Sequence, residues 1–306
     1  MKIKILLLLS SLCSALLFAE ENNSVFDQYH DDLCKALVST SNSIDNYFIE
    51  ENSTTNSKTH AEFSTSFAME ANQDFEKDVR LRLRLNLPKI QKNLRLIFED
   101  ENNDDTLYDR TTLNDQQLID KSYYLRLEYF RLVKKKLNMV LGAGLRIRQG
   151  NLVPYGNLRS RYNLFKNNHL KSAFYNRLRF YSDGEIEDIF EFNSLYKLNA
   201  SFNVLFQNQL SYSNRDEFEI ASHDLSLIKQ LNKKKQLSVG VGTRAYLKNF
   251  KDYSIEYYHV HTRYHHLFYK DWLYYQVAPS ALWREGNNFN ISYRMMFNFG
   301  ILFNKG

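Results

Sequence analysis

From Lys77 to Leu87 the chain reads KDVRLRLRLNL, and apolar and polar residues alternate without a break. Val79, Leu81, Leu83, Leu85 and Leu87 fall on one side, and Arg80, Arg82, Arg84 and Asn86 on the other. A period of two marks a pleated strand, whose successive side chains point to opposite faces. Wound as a helix, the same residues would scatter leucine and arginine around the whole circumference. Three arginines facing the interior of a soluble sandwich would be buried charges with no compensation. They are tolerable where that side lines a wet lumen and the leucines meet hydrocarbon, as in a transmembrane β-barrel.

The device recurs along the chain in segments of about ten residues, the length a tilted strand needs to cross a bilayer. Phe63, Phe67 and Met69 share a side; Leu94, Leu96 and Phe98 oppose Arg95 and Glu99; Tyr123, Leu125, Leu127 and Tyr129 oppose Arg126 and Glu128. Leu137, Met139, Leu141, Ala143, Leu145 and Ile147 oppose Gly142, Gly144, Arg146 and Arg148. Leu158, Ser160 and Tyr162 oppose Arg159 and Arg161, and Leu170, Phe174, Leu178 and Phe180 oppose Lys171, Arg177 and Arg179. Phe190 and Phe192 oppose Glu187 and Glu191, and Phe202, Val204 and Phe206 oppose Asn203, Gln207 and Gln209. Leu237, Val239 and Val241 oppose Gly240, Gly242 and Arg244, and Tyr258, Val260, Thr262 and Tyr264 oppose His259, His261, Arg263 and His265. Leu273, Tyr275, Val277, Ala281 and Trp283 follow, and Ile291, Tyr293, Met295, Phe297, Phe299, Ile301 and Phe303 close the series around Arg294. Only Phe218 to Leu231 leaves its register open, around His223 and Asp224. The expected fold is all-β: an antiparallel transmembrane barrel of about fourteen strands. The rival, a soluble β-sandwich, leaves the large apolar residues on one face of nearly every strand unexplained.

The termini refine this organisation. MKIKILLLLSSLCSALLFA has a basic start, an apolar run and a small residue at Ala19, which predicts a secretory signal peptide over residues 1–19. Leu12 before Cys13 argues against a lipoprotein, and Cys34, alone after export, reads as a small apolar residue. Residues 20–60 form a separate segment. Tyr29, Leu33, Ala36 and Leu37, then Ile44, Tyr47 and Phe48, recur at helical spacing, which predicts one short amphipathic helix or two before the polar linker Glu50 to His60. That helix is expected to plug the lumen, cap its periplasmic mouth, hold a periplasmic partner through residues 25–48, or hang as a loose tether. The barrel takes residues 61–306. Lysine-bearing turns at 88–93, 134–136, 166–168, 232–235 and 268–271 all fall on one side, the periplasmic one, if the first strand rises from there; the acidic loop 100–120 falls on the other.

Composition changes the picture little. Mean hydropathy is −0.50, because lumen residues alternate with lipid-facing ones, and aromatic content is 15%. A net charge of +5 without a binding motif excludes a nucleic-acid partner. The stretches FDQYHDDLCKALVSTSNSIDNYF, VRLRLRLNLPKIQKNLRLIFEDENND and YHHLFYKDWLYYQVAPSALWREGNNF resemble an uncharacterised family of proteobacterial outer-membrane proteins. The resemblance implies a barrel in the bacterial outer membrane of a Gram-negative cell, and brings no activity, no cofactor and no catalytic residues.

Candidate chemistry centres on the inner face. Arg80, Arg82, Arg84, Arg95, Arg126, Arg146, Arg148, Arg159, Arg161, Arg177, Arg179, Arg244, Arg263 and Arg294 outnumber the inward acids Glu99, Glu128, Glu187 and Glu191. They form either a positive ladder favouring anions in a pore or a salt-bridge network filling a narrow barrel. The paired glycines Gly142 with Gly144 and Gly240 with Gly242 are expected to make room for large neighbours such as Tyr246 or an arginine. His259, His261 and His265 share a face, and a His-x-His pair binds zinc if a neighbouring strand adds a ligand; lumen lining is the plainer role. Asp100, Asn102 and Asp104 fail as an EF-hand, with Asp105 and Thr111 where glycine and glutamate are needed. His223 beside Ser222 and Ser226 is the one histidine–serine cluster on a strand for a lipid-modifying enzyme, though adjacent strand residues point opposite ways. Phe297, Phe299, Ile301 and Phe303 resemble a C-terminal assembly signal, which implies the barrel-assembly machinery as a partner beside outer-membrane lipid and lipopolysaccharide. The functions in view are a passive channel for small anions, a closed scaffold or assembly partner, and lipid-modifying catalysis.

Overall fold

The computed structural model describes residues 25–48, 60–71, 73–86, 95–100, 122–148, 150–215, 219–248 and 252–304. The expected signal peptide, the linker, the turn at 88–93 and the acidic loop lie outside them. One helix, α1 (Val25–Phe48), precedes fourteen strands: β1 (His60–Glu70), β2 (Glu76–Asn86), β3 (Arg95–Asp100), β4 (Ser122–Val133), β5 (Leu137–Arg148), β6 (Asn151–Lys166) and β7 (Leu170–Tyr181). Then come β8 (Ile186–Lys197), β9 (Phe202–Ser213), β10 (Glu219–Asn232), β11 (Lys235–Lys248), β12 (Asp252–Tyr269), β13 (Leu273–Arg284) and β14 (Ile291–Asn304). Each strand pairs antiparallel with its sequence neighbours, and β14 pairs with β1, so the sheet closes without an edge. Closure satisfies every strand's backbone from within the wall, which hydrocarbon demands.

The register assigns the two faces. Opposed residues share a face, and the row Leu83, Phe98, Leu125, Leu145 and Pro154 runs around the outside of β2 to β6. One residue along, Arg84, Ile97, Arg126, Gly144 and Tyr155 run around the inside. Val79, Leu81, Leu127, Leu141, Phe190, Phe206, Leu225, Val239 and Val241 are exposed on the outer face. A closed barrel of even strand number, apolar without and charged within, is the outer-membrane form, and the protein is an outer-membrane β-barrel. No helix among the described residues is long and apolar enough to cross a membrane.

Close packing inside depends on missing side chains. A Cβ on Gly144 would press on the Leu125 carbonyl and lie 2.9 Å from the Tyr155 ring, while one on Gly142 would meet Asn157 and Arg126 Cγ at 3.6 Å. One on Gly242 would lie 2.5 Å from His259 Cε1, and one on Gly240 would lie 2.6 Å from His261 Cε1. Gly144 thus makes room for Tyr155 and the β11 pair for two histidines where Tyr246 was expected, and Gly142 lies against an arginine, Arg126.

The segment from Val25 is a single 24-residue helix, and the face it packs is rotated from the apolar one. Asp27, Cys34 and Ser41 are buried, whereas Tyr29 and Leu33 are exposed. Polar anchoring explains the rotation. Lys270 Nζ meets Asp27 Oδ1 at 2.7 Å, and Tyr269 Oη donates to Asp27 Oδ2 at 2.9 Å. The His30 ring stacks on Trp272 at 4.4 Å and on Phe303 at 5.3 Å, and its Nε2 pairs with the Leu302 carbonyl at 2.9 Å. The helix is thus moored to the rim formed by the β12–β13 turn and the end of β14. By strand parity the turns carrying Lys134–Lys136, Lys166, Lys233–Lys235 and Lys270 lie at this same end. Hydrogen bonding to Asp27 raises the Lys270 pKa.

The two-faced wall makes a test. Val241 sits half-exposed midway along β11, where Val241→Arg would place a guanidinium in hydrocarbon. Urea unfolding in phospholipid vesicles should show a loss of about 2–4 kcal/mol, the cost of arginine near the bilayer midplane; an unchanged midpoint would mean that this face is not in lipid.

Candidate functional site

The inner wall gathers the charged residues into clusters, each built from neighbouring strands. On β4 and β6, Arg126 Nε lies 3.3 Å from Glu128 Oε1, and Arg159 contacts the same carboxylate. On β7 and β8, Arg179 Nη1 reaches Glu187 Oε2 at 3.0 Å, and Arg177 Nη2 reaches Oε1 at 3.4 Å. Tyr181 Oη donates to Glu187 Oε2 at 2.8 Å and lies 3.3 Å from Tyr124 Oη. The Arg179 guanidinium stands 4.1 Å over the Tyr124 ring and Arg146 stands 3.8 Å over Tyr181. Tyr155 packs edge-on against Tyr124, so three tyrosines and two arginines form one buried block. Desolvated cation–π contacts of this kind contribute about 2 kcal/mol each.

Two more clusters lie at the end away from α1 and across the closure. Arg146 Nη2 meets Glu185 Oε2 at 2.6 Å in the β7–β8 turn, where Arg215 also meets Asp183 at 2.9 Å. Slight desolvation pushes the Asp183 carboxyl up, but the Glu185 N–H and Arg215 outweigh it and leave its pKa lowered. Across the closure Glu70 takes Arg284 Nη2 at 2.9 Å and Arg294 Nη1 at 3.5 Å, and Arg294 Nη2 reaches Glu76 at 2.7 Å. Arg80 Nε meets Asp78 at 2.7 Å, and Arg244 Nε meets Glu256 at 2.6 Å.

Arg82, Arg84, Arg95, Arg161 and Arg263 also stand on the inner face by register, while the side chains of Arg148 and Glu99 lie outside the described residues. Glu191 is inward and buried beside Asn193. Sequence reasoning missed Glu70, Glu76, Asp78, Glu185, Glu256, Arg284 and the tyrosine block. Extending the alternation of β2, β7 and β13 by one turn at each end would have found Asp78, Tyr181 and Arg284. Glu256 could not be found that way, because the register shifts at this point of β12.

The region whose register was open resolves clearly. His223 points outward and pairs with Asn208 at 2.6 Å, whereas Ser222, Asp224 and Ser226 point inward. The histidine and serines of the catalytic reading therefore lie on opposite sides of the wall. Asp224 Oδ2 lies 3.2 Å from His259 Nε2 and 3.6 Å from His261 Nδ1. Ser226 Oγ donates to Asp224 Oδ1 at 2.5 Å and is 3.4 Å from His261 Nε2. Its hydroxyl is thus committed to the carboxylate, the reverse of what activates a serine nucleophile. His265 stands apart, its ring 5.1 Å from Tyr274. Phe297, Phe299, Ile301 and Phe303 occupy the outer face of β14, opposite Phe67, Thr65, Phe63 and Ala61 of β1.

No known family profile matches the chain, and no curated protein does. Among solved structures it is similar to the outer-membrane channel DcaP of Acinetobacter baumannii, at 7% identity and a TM-score of 0.48 over 81% of this chain and 96% of that one. It is also similar to a loop-deleted OmpT, an outer-membrane protein of Vibrio cholerae, at 9% identity and 0.44 over 80% and 98%. Omp33 of Acinetobacter baumannii matches at 10% identity and 0.44 over 80% and 98%.

Glu187 holds two buried guanidiniums, and Glu187→Gln should cost about 3–5 kcal/mol, because it strands charge away from water. An unfolding free energy from urea titration lowered by less than a quarter of that would mean the block is wet and the pairing idle.

Proposed function

We propose that the protein is an outer-membrane channel for small anionic solutes. The carrying observation is that the inner arginines divide into two groups. Arg126 and Arg179 are 0% and 1% exposed, and Arg146, Arg177, Arg244 and Arg294 are buried with the carboxylates named above. Arg80, Arg82, Arg84, Arg95, Arg161 and Arg263 remain partly exposed on the inner face. The first group fills the wall; the second, although Arg80 pairs with Asp78 and Arg82 faces Glu62, keeps part of its guanidinium surface accessible on the inner face. A ring of arginines selects anions by the field it sets in a narrow, poorly screened space. The lysine-bearing turns and α1 support placing that end in the periplasm, with the acidic loop outside. Full burial of Arg126 and Arg179 favours a second reading, a closed barrel acting as a scaffold.

Planar-bilayer recording under a salt gradient separates the two. A channel should give discrete openings with a reversal potential on the anion side, and Arg82→Gln with Arg84→Gln and Arg161→Gln should move it toward zero. A silent bilayer containing folded protein would assign the scaffold reading, and cation preference would overturn the anion channel.

A further inference from the structure

Two histidines and an aspartate converge inside the wall without any part in the proposed conduction. They come from different strands: Asp224 from β10, His259 and His261 from β12. Strand β11 runs between them and carries glycine at both intervening inward positions, since Gly242 opposes Asp224 and His259 while Gly240 opposes Ser226 and His261. A Cβ at Gly240 would collide with both Ser226 Oγ and the His261 ring, and one at Gly242 would lie 2.5 Å from His259 Cε1. The gap in β11 is what lets the imidazoles reach the carboxylate.

We propose that Asp224, His259 and His261 bind one divalent transition-metal ion of the zinc class. All three residues are buried, and their ligating atoms lie within 4.8 Å of one another. A tetrahedron with metal–ligand bonds of about 2.0–2.1 Å has edges of about 3.3 Å. The separations from Asp224 Oδ2, 3.2 Å to His259 Nε2 and 3.6 Å to His261 Nδ1, fit two such edges. Three protein ligands of this type leave a fourth position for water or an anion, as in open zinc sites. Ser226 supplies the supporting shell: its hydroxyl donates to Asp224 Oδ1, which fixes the carboxylate and aims Oδ2 at the imidazoles. His259 Nδ1 is buried with no hydrogen-bond partner among the described residues, so one outer contact that strengthens a metal-bound imidazole is missing there. That lowers affinity roughly 10–100-fold relative to a fully supported site. The ion would tie β10 to β12 across the glycine gap. The site does not depend on whether the lumen conducts.

The experiment uses the full-length barrel, refolded in detergent, stripped with chelator and titrated with Zn²⁺ by calorimetry and with Co²⁺ by visible absorption. The expected result is one equivalent bound, tetrahedral cobalt bands, and a urea midpoint raised by saturating zinc. Asp224→Asn, which keeps the side chain's shape, should weaken binding at least tenfold, and His259→Ala with His261→Ala should remove the cobalt bands. Heat-modified gel mobility establishes that each variant is folded, and Asp224→Asn alone decides the matter if the double variant is not. Absence of stoichiometric binding overturns the proposal. So does binding that survives in the folded variants, which would move the metal to another site such as Cys34 with His30.

Discussion

Guanidinium groups inside a membrane-spanning wall must meet either water or carboxylates, and the rest of this structure follows from how that requirement is met. Moving an ion from water into a low-dielectric interior costs several kcal/mol even after relaxation, and one unpaired partner leaves that cost uncompensated. Several of the pairs join residues from different strands: Arg159 of β6 with Glu128 of β4, and Arg284 and Arg294 of β13 and β14 with Glu70 of β1. A slip of one residue in any of these strands would turn its charges toward lipid and its leucines inward. Buried pairs of this kind contribute little net stability compared with apolar packing. Their effect is to make the observed register the one in which charge is balanced, and at Glu70 that balance spans the closure of the barrel.

This explains which parts of the fold were legible in the sequence. Strand positions follow from a period of two with large contrast between leucine and arginine, and the pattern of β2 alone gives the architecture. Legibility failed where contrast is small. In β10, Glu219-Ile-Ala-Ser-His-Asp has polar residues on both faces, so periodicity could not tell which side Asp224 takes. The outcome is set by a neighbour, because only the inner side of β11 has glycine gaps into which the histidines of β12 fit. In α1 the apolar spacing of Tyr29 and Leu33 marks a helix but not the face that docks. Docking there is governed by Asp27 and His30, whose partners Lys270, Trp272 and Phe303 lie more than two hundred residues away. Sequence periodicity reads local burial and has no access to such pairings.

The site was half legible for the same reason. Arginines were easy to place because they alternate with leucine. Of the carboxylates that balance them, Glu128 and Glu187 alternate in the same way, but Glu70, Glu76 and Glu185 sit at strand ends and turns, where alternation stops. An inventory of basic residues taken without those acids overstates the positive field of the lumen. The tyrosine block shows a further way to hold a cation: the faces of Tyr124 and Tyr181 lie against Arg179 and Arg146, so ring quadrupoles supplement Glu187 and Glu185.

What separates a conducting wall from a filled one is therefore the geometry of neutralisation, not the number of charges. Where one carboxylate serves two guanidiniums, as Glu187 does for Arg177 and Arg179, the side chains are drawn against the wall and sealed by aromatic rings. On β2, where Arg80, Arg82 and Arg84 follow one another, Glu76 and Asp78 precede them on the inner face, and Glu62 of β1 stands opposite Arg82. Local charge density there is set by β1 as well as β2, and the three arginines are only partly covered. Screening between charges partly withdrawn from water is weak compared with bulk electrolyte. The field on the inner face of β2 is therefore set by how the carboxylates of β1 and β2 are placed against three successive guanidiniums, more than by the net charge of the chain.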